Sequence, residues 1–320
     1  MSPVRCAVVG VGYLGRFHAQ KYAALPNAEL IAVADSNPQN AARVAGECGC
    51  LAVTDYRELL GKVEAVSIAV PTTLHHEVAR AFLEQGTHVL LEKPITTTVE
   101  EAVELNRIAH ERGAILQVGH LERFNAALLD IGRVLSEPLF IESHRLAPFK
   151  PRATDVNVVL DLMIHDIDII LDLVKSRVSN IAASGARILS DAIDIANARI
   201  EFENGCVANV TSSRVSLKSE RKMRIFQHNA YISIDFQNRG LAIHRIGDKE
   251  MFPGIPEITS EESFFEEADA LKAEIVAFLD SIQNGSPVTV SGEDGQRALE
   301  TAIHITELVQ SAPTLGTHRG

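Results

Sequence analysis

Along the first third of the chain, short apolar runs alternate with stretches of helical period. Val4 to Val9 is such a run; it ends in the glycine turn GVGYLG, Gly10 to Gly15, and Arg16 to Ala24 has the pattern of a helix. A second run, Leu30 to Ala34, ends in Asp35, and in the adjoining SNPQN Asn37 suits a helix cap and Pro38 a first turn. Further strands are expected at Ala65–Val70, His88–Leu91 and Ala114–Val118, with helices starting at Asp55, near His75 and at Thr98. Thr98 and Glu101 have capping-box spacing, and Gly86 and Gly113 mark stops. Strands apolar throughout, alternating with helices, imply a doubly wound α/β layer with a parallel sheet covered on both faces.

Past residue 120 the period changes to two. Phe140–Arg145, Ile181–Leu189, Ile195–Phe202, Cys206–Val215, Arg224–Gln227 and Tyr231–Phe236 read as strands, with a hairpin turn at Asn204-Gly205. A last helix, from Gly292 or Asp294 to Gln310, carries Ala298, Ala302, Ile305 and Val309 on one side and should pack back on the body. The pattern predicts two domains, 1–120 and a sheet-rich 121–320.

Composition narrows the class. At 320 residues, 46% apolar and 22% charged, the chain is an ordinary globular protein too long for one core. A net charge of −12 argues against nucleic acid and membrane surfaces as partners, because both call for clustered positive charge. No apolar stretch approaches the roughly 20 residues of a membrane-spanning helix, and no secretory leader is visible, so a cytoplasmic location is expected. Cys6, Cys48, Cys50 and Cys206 are spaced poorly for disulfides or zinc, and reduced thiols are expected.

A Gly-x-Gly-x-x-Gly between a strand and a helix suits a dinucleotide. Gly10 permits the turn, Gly12 lets backbone approach a pyrophosphate, Gly15 permits close helix packing, and the helix N-terminus attracts phosphate. Asp35 lies at the end of the second strand, where a carboxylate accepts the ribose hydroxyls and repels a 2′-phosphate. Ser36 and Asn37 bring no arginine, so NAD is favoured over NADP. A glycine turn and a capping Asp without a ligand are the alternative. Glu92, Lys93 and Pro94 come after the strand His88–Leu91, at the end of the sheet where ligands bind; a solvated Glu/Lys pair would read the same way.

In NVVLDLMIHDIDIILDLV, Asn157 to Val174, the residues Asp161, His165, Asp168 and Asp172 fall on one helical face, and Asp166 points elsewhere. Such a stripe faces water, a partner or a site. Spacing places no third ligand beside Asp161 and His165, and no metal is expected. Basic residues gather in HRLAPFKPR, with Arg145, Lys150 and Arg152, and in SRVSLKSERKMR; either could hold an anionic group or lie in solvent.

VVGVGYLG, SIAVPTTLHHEVA, VLLEKPITTTVEEA, VGHLERFN and SGEDGQRALETA together resemble the Gfo/Idh/MocA oxidoreductase family, over nearly the whole chain. The resemblance implies a Rossmann domain and a C-terminal α+β domain with a large, open, mainly antiparallel sheet through which homodimers or homotetramers form. It implies that Lys93 contacts the reacting hydroxyl and the cofactor, that His165 is the general acid/base, and that Asp161 holds substrate or orients the pair. The cofactor would lie against Gly10, Gly12, Tyr13, Leu14, Gly15, Asp35, Ser36, Val70, Pro71, Thr72, His75, Glu92, Lys93, Pro94, His120 and Arg123. Thr72 stands where many members have Asn. The TDVNVV lead-in departs from the family's glycine-rich one, so the substrate edge near Asn157 is expected to differ. Lys93, Arg145, Lys150, Arg152, Asn157, Asp161 and His165 would meet the substrate. VGHLERFN with DLMIHDIDI looks most like the branch that oxidises the 3-hydroxyl of UDP-N-acetylglucosamine, ahead of a 3-amino sugar for lipid A. An inositol or free-sugar dehydrogenase, and a nucleotide-binding sensor or scaffold without chemistry, are the alternatives.

Overall fold

The structure, a computed structural model, describes residues 2–149, 156–266 and 268–311. Two compact units divide the chain: residues up to Phe124 together with Asp269–Leu299, and Asn125–Ala268 with the chain from Glu300 onward.

The first unit runs β1 (Val4–Val9), α1 (Tyr13–Ala24), β2 (Ala28–Ala34), α2 (Pro38–Cys48), β3 (Leu51–Val53), β4 (Ala65–Ile68), α3 (His75–Glu84), β5 (His88–Glu92), α4 (Val99–Arg112) and β6 (Leu116–Gly119). All neighbouring strands are parallel, in the order β3-β2-β1-β4-β5-β6. The chain reverses direction across the sheet between β1 and β4, the place where a crevice opens beyond the strand ends. Local chemistry sets the helix ends. Asn37 caps α2 with Pro38 at its start, Thr98 and Glu101 form the full capping box on α4, and Gly113 closes α4 in the left-handed conformation. The helix expected from Asp55 is a single 3-10 turn, Tyr56–Leu59, capped by Asp55; the chain turns extended at Leu60 and then left-handed at Gly61, φ +71°.

The second unit contains α5 (Ala126–Asp130), β7 (Pro138–Leu146), a π-helical turn at Val159–Met163, α6 (Ile164–Val174), β8 (Val178–Ala186), β9 (Ile195–Phe202), β10 (Val207–Ser213), β11 (Glu220–Gln227), β12 (Ala230–Asp235), β13 (Gly240–Phe252) and β14 (Ile255–Phe264). Its eight strands are ordered β14-β13-β12-β11-β7-β10-β9-β8, antiparallel except for the β7/β10 pair. The hairpin between β9 and β10 turns at Gly205, φ +86°, where the expected Asn-Gly stands. The Cys206 N–H donates to the Asn204 side chain at 3.1 Å. One face of the sheet is closely packed through Ile141, Ser143, Met223, Ile225, Ile232 and Ile234. The opposite face carries a row of rings across four strands, Phe140, Phe226, Tyr231 and His244, with Phe226/Tyr231 and Tyr231/His244 stacked at 5.0 and 5.3 Å.

The structure departs from the sequence pattern in larger ways as well. The β13–β14 hairpin lies outside the expected strands, since its apolar alternation is broken by the polar residues 248–250. More consequential is the domain boundary: the first unit extends to Phe124 and regains residues 269–299, so a single cut at 120 does not describe it. This segment contains α7 (Ala270–Asn284) and the start of α8 (Gly292–Ser311). Its Ile275, Phe278 and Leu279, all fully buried, share a core with Val4, Cys6, Val8, Tyr22 and Leu90. Burying each is worth about 1.5–3 kcal/mol. The Val118 N–H also donates to the Val290 carbonyl at 3.0 Å, tying the segment to β6.

Candidate active site

Every candidate residue of the first unit lies at the C-terminal ends of its strands. Gly10, after β1, has φ +83°, and a Cβ there would sit 2.8 Å from the Ala69 carbonyl and the Val70 nitrogen. A Cβ on Gly15 would run into the Gly10 carbonyl oxygen, so the helix can start this close to the strand only without a side chain. Gly12 has open space before it, and no side chain caps the N-terminus of α1. These are the conditions for backbone N–H groups to meet phosphate. Asp35, after β2, is held in place by two backbone donors: Val11 N–H to Oδ2 and Asn37 N–H to Oδ1, both at 2.9 Å. A carboxylate offers about four acceptor positions, which leaves two for the ribose hydroxyls.

A cavity of about 680 Å3 is lined by Gly10, Gly12, Asp35, Ser36, Val70, Pro71 and Leu74, among others. Tyr56, Arg57 and Glu77 also line it, and sequence reasoning missed them. Tyr56 and Arg57 arrive because β3 pairs with β2 and delivers residues 54–57 beside Asp35, while Glu77 comes from the first turn of α3; no local pattern signals this. The cavity therefore does contain an arginine, contrary to what Ser36 and Asn37 suggest. Its guanidinium is engaged, however, by Glu77 Oε1 at 2.8 Å and Asp55 Oδ1 at 3.3 Å. Tyr13 and Leu14 are exposed at the start of α1, and Thr72 is half-buried in a 3-10 turn after β4.

Two residues expected to touch the cofactor are turned inward. His75 is buried, with Nδ1 2.9 Å from the Pro94 carbonyl and Nε2 3.0 Å from the Val70 carbonyl. Burial pushes its imidazole below the ordinary value while the two carbonyls pull it back up. Both ring nitrogens face backbone carbonyls, and the neutral imidazole donates its one N–H to either, so His75 is a strut between the loops after β4 and β5. Glu92 is likewise buried: its Oε1 is 3.0 Å from His18 Nε2, and its Oε2 accepts the Lys93 N–H at 3.3 Å. Burial alone would raise this carboxyl, but the His18 hydrogen bond, the His18 charge and Lys93 outweigh it and hold it below the usual carboxylate range. Lys93 itself is half-buried at the tip of β5, and the Lys93–Pro94 peptide is cis. His120 and Arg123 are buried in and beside the 3-10 turn after β6.

In the second unit the polar stripe is not one regular helix. Asp161 lies inside the π turn and His165 one residue into α6; both are half-buried, as is Asp172, whereas Asp168 is buried. Asp166 does point elsewhere, to Arg145: Nε and Nη2 of the arginine donate to its two carboxylate oxygens at 2.9 and 3.0 Å. Arg145 is therefore a buried strand residue with its guanidinium occupied, not an anion-binding loop residue, because β7 extends through it to Leu146. Lys150 and Arg152 lie outside the described residues. In the second basic stretch Arg214 is buried on Asp194, and Lys222 and Arg224 pair with Asp235 and Glu142. Asn157 also has another task than the one expected. Its Oδ1 accepts the Val159 and Leu160 N–H groups, both at 3.0 Å, and so caps the π turn.

The parallel sheet, the glycine cradle and the anchored Asp35 define an NAD-binding oxidoreductase. Residues 4–120 match the oxidoreductase family with an NAD-binding Rossmann fold, and residues 130–233 match the GFO/IDH/MocA C-terminal domain. The chain belongs to the Gfo/Idh/MocA family. It is 41% identical over 312 residues to UDP-N-acetylglucosamine 3-dehydrogenase of Acidithiobacillus ferrooxidans, covering 97% of this chain and 99% of that one. A structure of that enzyme superposes with a TM-score of 0.90 at 40% identity over the same shares. The scyllo-inositol 2-dehydrogenase (NAD(+)) of Bacillus subtilis is 28% identical, covering 95% of this chain and 93% of its own. Scyllo-inositol dehydrogenase from Lactobacillus casei, solved with NAD(H) and scyllo-inositol, shares the fold at a TM-score of 0.80 and 21% identity, covering 97% of both chains. Among the described residues no helix is long and apolar enough to cross a membrane.

Proposed function

We propose that the protein oxidises the 3-hydroxyl of UDP-N-acetylglucosamine, with NAD as cofactor, to the 3-keto sugar nucleotide. The single observation behind this reading is the 41% identity to the 3-dehydrogenase, sustained over 99% of that enzyme. When bound, NAD supplies the nicotinamide ring that takes a hydride from the carbinol carbon. Asp35 holds the adenosine ribose, and the N–H groups at the start of α1 hold the pyrophosphate. His165 removes the hydroxyl proton. Lys93 lowers the energy of the oxygen as negative charge develops on it, which is usually the largest single contribution to rate. Asp161 orients the substrate against His165.

Replacing Lys93 by Met or His165 by Asn should reduce turnover by about 100-fold or more while NAD affinity stays within threefold. The direct test is to incubate purified protein with NAD and UDP-N-acetylglucosamine and look by mass spectrometry for a product lighter by two hydrogens. A second reading, an inositol dehydrogenase, gains support from Arg145: a cation expected to hold the diphosphate is spent on Asp166. Turnover of myo-inositol with no oxidised sugar nucleotide would favour it, and full activity of either variant would remove the roles given to Lys93 and His165.

The ring-bearing open face of the eight-stranded sheet is the surface through which we expect a homodimer or homotetramer to form. Four unbridged cysteines support a reducing, cytoplasmic setting.

A further inference from the structure

Two arginines at neighbouring strand ends each bury an aspartate beside the segment that carries Asp161 and His165. Arg145 and Asp166 are 4% and 2% exposed. Arg214, one residue past β10, donates from Nε to Asp194 at 2.7 Å, from Nη1 to the Val156 carbonyl at 2.5 Å and from Nη2 to Ser190 Oγ at 2.9 Å. Because β7 and β10 are parallel, with Ser212 opposite Arg145, both guanidinium groups arise at the same end of the sheet. Asp194, fully buried, also accepts the N–H groups of Ile188, Leu189 and Ser190 at 2.8, 2.7 and 2.9 Å. The Val158 N–H donates to the Ile193 carbonyl at 2.9 Å. The lead-in is thus held on both sides of Asn157, and the first turn of α6 is held at Asp166.

The π turn lies between these anchors. Such turns are rare and concentrate at functional positions. A π turn holds about one residue more than an α turn, so relaxing it would rotate the lead-in against α6 by about 100°. Asp161 lies within the turn and His165 just after it. Four buried charges are a poor device for stability alone, since apolar residues of similar volume often do as well. Fixing one backbone register is a better account of them.

We propose that Arg145 and Arg214 are positioning residues that hold the π turn and so set the direction of Asp161 against His165; the proposal rests on the substrate-handling roles given to those two. Lysine in place of either arginine keeps the charge and loses the planar fork. The test uses Arg145→Lys and Arg214→Lys in the full chain, with Asp194→Asn as a further variant should a lysine variant fail to fold. Hydrogen exchange by mass spectrometry should show the amides of residues 158–165 exchanging at least tenfold faster, with β1 to β6 unchanged. With NAD and UDP-N-acetylglucosamine, or with myo-inositol if that is what the wild type oxidises, kcat should fall about 10- to 100-fold while KM for NAD stays within twofold. Retention of kcat within twofold would overturn the proposal, as would faster exchange spread evenly over the second unit. If the wild type oxidised neither compound, the reading of the substrate would fall by itself, and the exchange pattern would still decide on the clamp.

Discussion

Asp35 should control both the strength and the selectivity of cofactor binding, and Asp35→Asn isolates why. The carboxylate takes a backbone N–H on each oxygen at 2.9 Å, so both oxygens must be acceptors. An asparagine has one acceptor oxygen and one NH2 group. Whichever way it turns, the NH2 faces either the Val11 or the Asn37 N–H, and one anchor is lost. The same NH2 cannot accept a ribose hydroxyl, so one ribose bond goes too. A hydrogen bond to a charged group is worth about 1.5–3 kcal/mol, and each 1.4 kcal/mol is about tenfold in affinity. The variant should bind NAD about 10- to 100-fold more weakly. NADP should lose less, because the charge that repels its 2′-phosphate is gone, so the NAD/NADP affinity ratio should fall. Titration calorimetry with both nucleotides on wild type and variant measures this directly. NAD affinity within twofold of wild type would refute the argument, and Asp35 would then be a loop anchor without a ligand.

Other substitutions probe separate parts of the structure. Gly15→Ala puts a methyl group against the Gly10 carbonyl and should weaken NAD binding at least tenfold in the same calorimetry; unaltered affinity would mean that the turn can move. Asn157→Ala removes a cap and should lower stability by about 1 kcal/mol in a denaturant titration, with KM for the sugar unchanged; a large rise in KM would return Asn157 to the substrate site. Glu274 is fully buried with neither carboxylate oxygen hydrogen-bonded, and burial, with Glu92 nearby, pushes its carboxyl well up. A raised folded-state value means that its contribution is fully present below the unfolded value, about 4.3, and is lost as pH rises toward the folded one. Glu274→Gln should therefore leave stability unchanged near pH 4 and add to it at higher pH by up to about 1.4 kcal/mol per unit. Urea midpoints that differ equally at pH 5 and pH 8 would contradict this.

Elements whose stability is local are legible in the sequence. The capping box of α4, the Asn-Pro start of α2, the glycine cradle and the Asn-Gly hairpin each depend on residues a few positions apart. The family motifs point to Lys93 and the glycine turn for the same reason, and these follow β5 and β1. The features that escape depend on partners distant in sequence. Arg145 reads as a loop cation because nothing near it reveals Asp166, and Glu92 reads as a cofactor contact because His18 is remote. Arg57 enters the cavity wall only through the pairing of β2 with β3. The polar stripe reads with α-helical spacing, and a π turn leaves no mark in the apolar pattern. The helix α7 is a different matter: Ile275, Phe278, Leu279 and Ile282 repeat at helical spacing after Asp269, so a signal for it is present in the chain.

The return of α7 to the first core has a consequence for biosynthesis. Strands β1 to β6 emerge from the ribosome first, yet Val8 and Tyr22 must wait for Phe278 before that flank closes. Throughout translation of the whole intervening sheet, the nascent nucleotide-binding half exposes an apolar side that a chaperone could hold. Fragments ending after β6 would keep that side bare permanently, so transplanting this half into another protein requires carrying the late helix with it.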